Sequence, residues 1–160
     1  MIKTLLLVFL AIFSEKAICR DSTTVVNYEV IMTYEKNEKK INITLKNKSK
    51  IELYIREDAT PFSLLSRGAN FSAFEEITLK RIPIYRPIGS NPKIINVSPN
   101  AEIVRFIEIE HLIKNHCQAL KENSILVFWS YSARAGESGE NILLPSDGVF
   151  RIDKSSQSCE

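Results

Sequence analysis

Beyond Val26, apolar residues recur at every second position in run after run, and that period commits most of this chain to β-strands. Successive side chains of an extended strand point to opposite faces, so a period of two marks a segment with one buried face. Val26, Tyr28, Val30, Met32 and Tyr34 form the first row. Ile41, Ile43 and Leu45 form the second, between Asn42, Thr44 and Lys46. Ile51, Leu53 and Ile55 form the third, between Glu52, Tyr54 and Arg56. β-Branched and aromatic residues dominate these rows, which suits a pleated, half-buried surface. The polar stretch Asn47-Lys48-Ser49-Lys50 is a turn that closes a hairpin or crosses between sheets.

The middle of the chain is less regular. Thr60-Pro61-Phe62 breaks the third strand. Phe71, Ala73 and Phe74 predict another, with Ile77 and Leu79 continuing it. Pro83, Pro87 and Pro92 hold residues 82–92 in extended and turn conformations and exclude a central strand there. Lys93 to Val97 reads as an edge strand. Ile103 to Ile109 is apolar on both faces, as a strand buried between layers would be. A helical turn is expected within His111 to Leu120. Ile125, Val127, Trp129 and Tyr131, backed by Leu126 and Phe128, predict a central strand with Trp129 in the core. Ala135 to Asn141 reads as a loop and Val149 to Asp153 as the last strand. Seven to nine short strands, no long helix and no internal repeat give an all-β class. The expected form is an antiparallel, immunoglobulin-like β-sandwich, with a small barrel as the alternative.

The N-terminus sets the compartment. Lys3 precedes the apolar run Leu5 to Phe13, and Ala17-Ile18-Cys19 supplies a small-x-small cleavage site. That run is about half the roughly 20 residues a spanning helix needs. Residues 1–19 are therefore expected to be a signal peptide, and residues 20–160 a single β-domain with a C-terminal tail. A lipidated Cys19 is the alternative, and Ile18 fits that pattern poorly. The mature chain is expected to be secreted or periplasmic, with no membrane span. In an oxidising compartment Cys117 and Cys159 are expected to form a disulfide that ties the tail to the loop before a late strand. The formal net charge is +2, too mild for a nucleic-acid partner.

Several landmarks follow one another in a known order: the strand Ile41 to Asn47 ending in Lys-Asn, then Thr60-Pro61-Phe62, then the Phe71–Phe74 strand. The Pro83 to Gly89 segment and the late aromatic strand come after them. Together they resemble the small β-sandwich domain ahead of the catalytic domain in some deuterolysin-like secreted zinc metallopeptidases, and in related stand-alone exported proteins. The catalytic part of those enzymes carries a His-Glu-x-x-His helix, which this chain lacks. The resemblance implies an accessory or binding role and carries over no peptidase activity.

The residues also offer no catalytic set. His111 and His116 lie five apart, off the helical spacing of zinc ligands, and read as surface histidines, so no metal is expected. Gly136-Glu137-Ser138-Gly139 falls one residue short of a nucleophile elbow and lies in a loop. Glu75-Glu76, and Glu108 with Glu110, read as surface carboxylates of strands. Five glycines form no phosphate loop. Asn42, Asn47 and Asn70 begin Asn-x-Ser/Thr triplets that have meaning only in a eukaryotic secretory pathway.

Tyr85, Arg86 and Ile88, on the proline-bracketed segment, are the recognition candidates, because a rigid loop loses little entropy on binding and Tyr and Arg anchor interfaces. Tyr85 covering a sheet edge is the plainer reading. Arg134 and Glu137, on the late loop, are the second group. These readings describe an exported, non-catalytic module that binds another exported protein, with no cofactor. A peptidase inhibitor or pro-domain-like protein and a structural envelope component are the alternatives.

Overall fold

The computed structural model describes residues 25–87, 93–132, 134–136 and 141–154. Mostly antiparallel β-structure fills it. In chain order the strands are β1 (Val25–Val26), β2 (Tyr28–Glu35), β3 (Lys40–Asn47), β4 (Leu53–Arg56), β5 (Asn70–Glu75) and β6 (Arg81–Ile82). They continue with β7 (Ile94–Val97), β8 (Glu102–Glu108), β9 (Ile125–Tyr131), β10 (Arg134–Ala135), β11 (Asn141–Leu143) and β12 (Ser146–Ile152). Two short helices, α1 (Ile109–Leu112) and α2 (His116–Glu122), lie between β8 and β9, where a single helical turn was expected.

Among the described residues twelve strands thus stand where seven to nine were expected. The excess lies in β1, β6, β10 and β11, which run for only two or three residues. Segments that short carry no readable alternation, because a strand needs about four residues to show its period.

β3 pairs with β2 on one side and β8 on the other. β9 lies between β12 and β5, with β6 beyond β5, so β9 is central as its aromatic pattern predicts. β4 pairs with β7. β11 joins β10 and, in parallel, β1. The Gly136 N–H donates to the Tyr54 carbonyl at 2.7 Å, which ties the end of β10 to β4. The inward rows of these strands meet in one apolar cluster. Ile41, Ile43 and Leu45 of β3, Leu53 and Ile55 of β4, and Ile125 and Val127 of β9 are fully buried in it. Trp129 is buried too, and its indole lies against Gly148 opposite it on β12. A Cβ at Gly148 would come within 2.9 Å of the ring, so only glycine fits there without displacing the tryptophan.

Two expectations are corrected and a third is refined. Residues 103–109 are not a strand between layers. Among the described residues β8 pairs with β3 alone, at the edge of its sheet, with Val104 and Phe106 exposed on its outer face. Ile77 and Leu79 do not extend β5. They are exposed in the turn between β5 and β6, where Leu79 takes a positive φ of 55°. The expected loop Ala135 to Asn141 is closed at its ends, because Ala135 of β10 pairs with Asn141 of β11.

The turn after β3 crosses to a different sheet, and Asn47 governs the crossing. Its side chain is wholly buried. Nδ2 donates to the Ile51 carbonyl at 2.7 Å and the Val97 carbonyl at 2.9 Å, while Oδ1 accepts from Ser49 N–H and Oγ. The closing residue of β3 is thereby tied to the chain entering β4 and to β7, the partner of β4. Among the described residues no helix is long and apolar enough to cross a membrane.

Candidate functional site

The segment after β6 alternates as a strand does but has only one short partner. Ile82 is buried, Pro83 exposed, Ile84 half-buried and Tyr85 exposed. Ile84 bridges Ile113 just after α1. The Tyr85 N–H donates to the Leu112 carbonyl at 2.9 Å, and the Lys114 N–H donates to the Pro83 carbonyl at 3.0 Å. Two hydrogen bonds and two prolines with fixed φ hold this ledge against residues 112–114. The buried side of the ledge is Ile84, packed against the core; its open side is Tyr85, 44 % exposed, with Arg86 and Pro87 following.

The ledge borders a hollow of about 520 Å³. Leu64 and Pro87 give it apolar walls, and Tyr85 contributes its ring. Arg86 and Lys114 contribute cations, and Glu110 and His111 complete the lining. The Lys114 ammonium lies 5.0 Å from the Tyr85 ring centroid, within cation–π range. Among the described residues no serine, threonine or cysteine lines the hollow.

Around α1 the two histidines stand in different settings that share Glu108 and Glu110. His111 Nδ1 lies 3.7 Å from Glu108 Oε2 and its Nε2 lies 3.9 Å from Glu110 Oε1, so the ring sits between two carboxylates. One ligand-type atom from each of these three residues falls within 4.8 Å of the others, and the group opens to solvent. Expected only as separate surface side chains, these residues form a cluster. His116 faces another hollow, of about 340 Å³, with Glu38, Lys39, Glu108 and Glu110 on its walls. Burial holds the His116 imidazole below its usual pKa; a hydrogen bond at the Ile113 backbone and the Glu110 charge oppose this, and Lys39 adds to it. Cys117 Sγ lies 3.3 Å from His116 Nε2 and is not a free, titrating thiol. Cys159 lies outside the described residues, and so do Ile88 and Glu137.

Of the residues singled out in the sequence, Tyr85 and Arg86 stand together on the ledge. Arg134 is exposed on β10, and among the described residues no hydrogen bond or ion pair connects it with Tyr85, Arg86 or Pro87. Lys114 and Leu64 were not singled out. They reach the ledge only through the bridge at Ile113 and the chain path after β4, and no local pattern signals either contact. A fourth Asn-x-Ser/Thr triplet begins at Asn96 and is followed by Pro99. Of the four, Asn47 is closed by its buried hydrogen bonds, whereas Asn70 and Asn96 are exposed and Asn42 half-exposed. No known family and no curated protein matches the chain.

Proposed function

We propose that this chain is an exported, non-catalytic module of immunoglobulin-like β-sandwich type that binds another protein through the Tyr85–Pro87 ledge and the hollow beside it. The observation that carries the reading is the ledge itself. An exposed tyrosine and an exposed arginine project from a segment pinned by two backbone hydrogen bonds and bounded by prolines. Such a segment loses little freedom on binding, and tyrosine and arginine are the side chains that most often anchor interfaces. The apolar N-terminal run supports export, and the order of landmarks from Ile41 to Tyr131 supports the immunoglobulin-like form.

The test is affinity capture. Chain beginning at Arg20 is immobilised in oxidised form, exposed to secreted and envelope fractions of its source, and compared with a Tyr85→Ala/Arg86→Ala double variant. A protein retained by the parent and lost by the variant, at unchanged melting temperature, supports the reading. If that protein is a peptidase and its activity falls on binding, the module is an inhibitor. Capture of the chain by itself alone, unaffected by the substitutions, supports a structural envelope component and overturns the ledge.

A further inference from the structure

We infer that the hollow selects a carboxylate set beside an apolar side chain, so that the bound part of the partner is an acidic peptide segment with an aromatic or large aliphatic residue. The inference rests on the protein-binding reading and names the chemistry of its ligand.

Charge comes first. Lys40, Lys46, Lys48, Arg56 and Arg151 each have a carboxylate partner within the molecule. Arg86 and Lys114, like Lys80, Arg81 and Arg105, have none among the described residues; what sets these two apart is that both line one hollow. Glu110, the one acid among the described residues that line the hollow, lies 3.9 Å from His111. A ligand carboxylate is therefore attracted by Arg86 and Lys114 and repelled by Glu110. An arginine fork adds directional, charge-assisted hydrogen bonds to that attraction.

Shape supplies the second half. The Tyr85 ring, Leu64 and Pro87 offer apolar surface next to the two cations, and the hollow has a volume of about 520 Å³. Ligand hollows run from roughly 300 to 1,000 Å³, room here for a large side chain beside the carboxylate. The backbone narrows the mode further. Pro83 and Pro87 have no N–H, and the Tyr85 N–H is already given to Leu112. No strand can therefore add along the edge that faces residues 112–114, and the exposed side chains offer the recognition surface.

Two peptides test this: acetyl-Gly-Glu-Phe-Glu-Gly-amide and its twin with glutamine in place of both glutamates. Each is titrated into the isotope-labelled chain, with binding read from the NMR signals of Tyr85, Arg86 and Lys114. The acidic peptide is expected to bind at least about tenfold more tightly at low salt, the difference one charge-assisted contact makes. Arg86→Gln/Lys114→Gln should remove that preference and leave the weak binding of the twin. Tyr85→Ala should weaken both peptides. Equal affinity for the two peptides, with Tyr85→Ala still weakening both, overturns the carboxylate preference and leaves the ledge as a binding surface. Binding of neither peptide overturns the inference, while the ledge is still judged by its own capture experiment. Melting temperatures of all variants exclude unfolding as the cause.

Discussion

Asn47 shows how one polar side chain can hold a β-fold together. It is wholly buried, and both its amide hydrogens and its carbonyl oxygen are engaged. Replacing it with alanine leaves the Val97 carbonyl and the Ser49 N–H without their partner and opens a gap at the crossing from β3 to β4. Urea denaturation of Asn47→Ala should show a loss of about 3 kcal/mol, as for other buried polar groups that strand their partners. Asn47→Asp should lose no less, because it sets a carboxylate against two carbonyl oxygens. The Lys-Asn ending of this strand is legible in the sequence, but its partner Val97 lies fifty residues on. His116 supplies a pH response. Its folded pKa is held below the unfolded value, chiefly by burial. The unfolded chain therefore binds the proton first as pH falls, and stability present above about pH 6.5 declines as pH drops toward the folded value. Melting temperature should fall over that window, and His116→Gln should flatten this part of the curve.

Among the elements, β8 departs furthest from its sequence pattern. Apolar residues on both faces suggested burial, yet Val104 and Phe106 lie open. The Lys40 ammonium sits 4.4 Å from the Phe106 ring centroid and covers part of it. Exposed apolar edges invite pairing with other chains, and proteins guard them with charge. Arg105 performs that task here. It shares a face with Ile103 and Ile107, stands opposite Ile43 in register, and its guanidinium donates to the Val104 carbonyl at 3.0 Å. A second β8 laid antiparallel and centred on this residue would set one Arg105 against the other and Glu102 against Glu108. Like charges directly opposite one another destabilise a sheet pair. Arg105→Val should therefore self-associate in a concentration-dependent way in sedimentation velocity, while the parent sediments unchanged over the same range. A variant that sediments like the parent would remove this role from Arg105.

Across the whole molecule, the proposed Cys117–Cys159 bridge would close the C-terminal tail onto α2, not onto a loop as the sequence suggested. Closing a loop of that length restricts the unfolded chain, and the chain-entropy model assigns it up to about 4 kcal/mol. Reductant, or Cys159→Ser, should lower the denaturation midpoint accordingly; identical midpoints would exclude the bridge as a staple. The rows beginning at Val26, Ile41 and Ile125 mark β2, β3 and β9 nearly residue by residue, because alternation is a local property that each strand carries in its own residues. The prolines around Tyr85 likewise mark a rigid exposed segment without any knowledge of its neighbours. Which strand lies beside which is a different kind of fact. Among the described residues β8 pairs on one side only, and nothing within Glu102–Glu108 encodes that. Lys114, Leu64 and Glu110 meet Tyr85 because Ile84 bridges Ile113 across some thirty residues of chain. Local pattern decides which face of each segment seeks burial. The assembled core decides which faces find it, since burial requires a partner surface supplied from elsewhere in the chain.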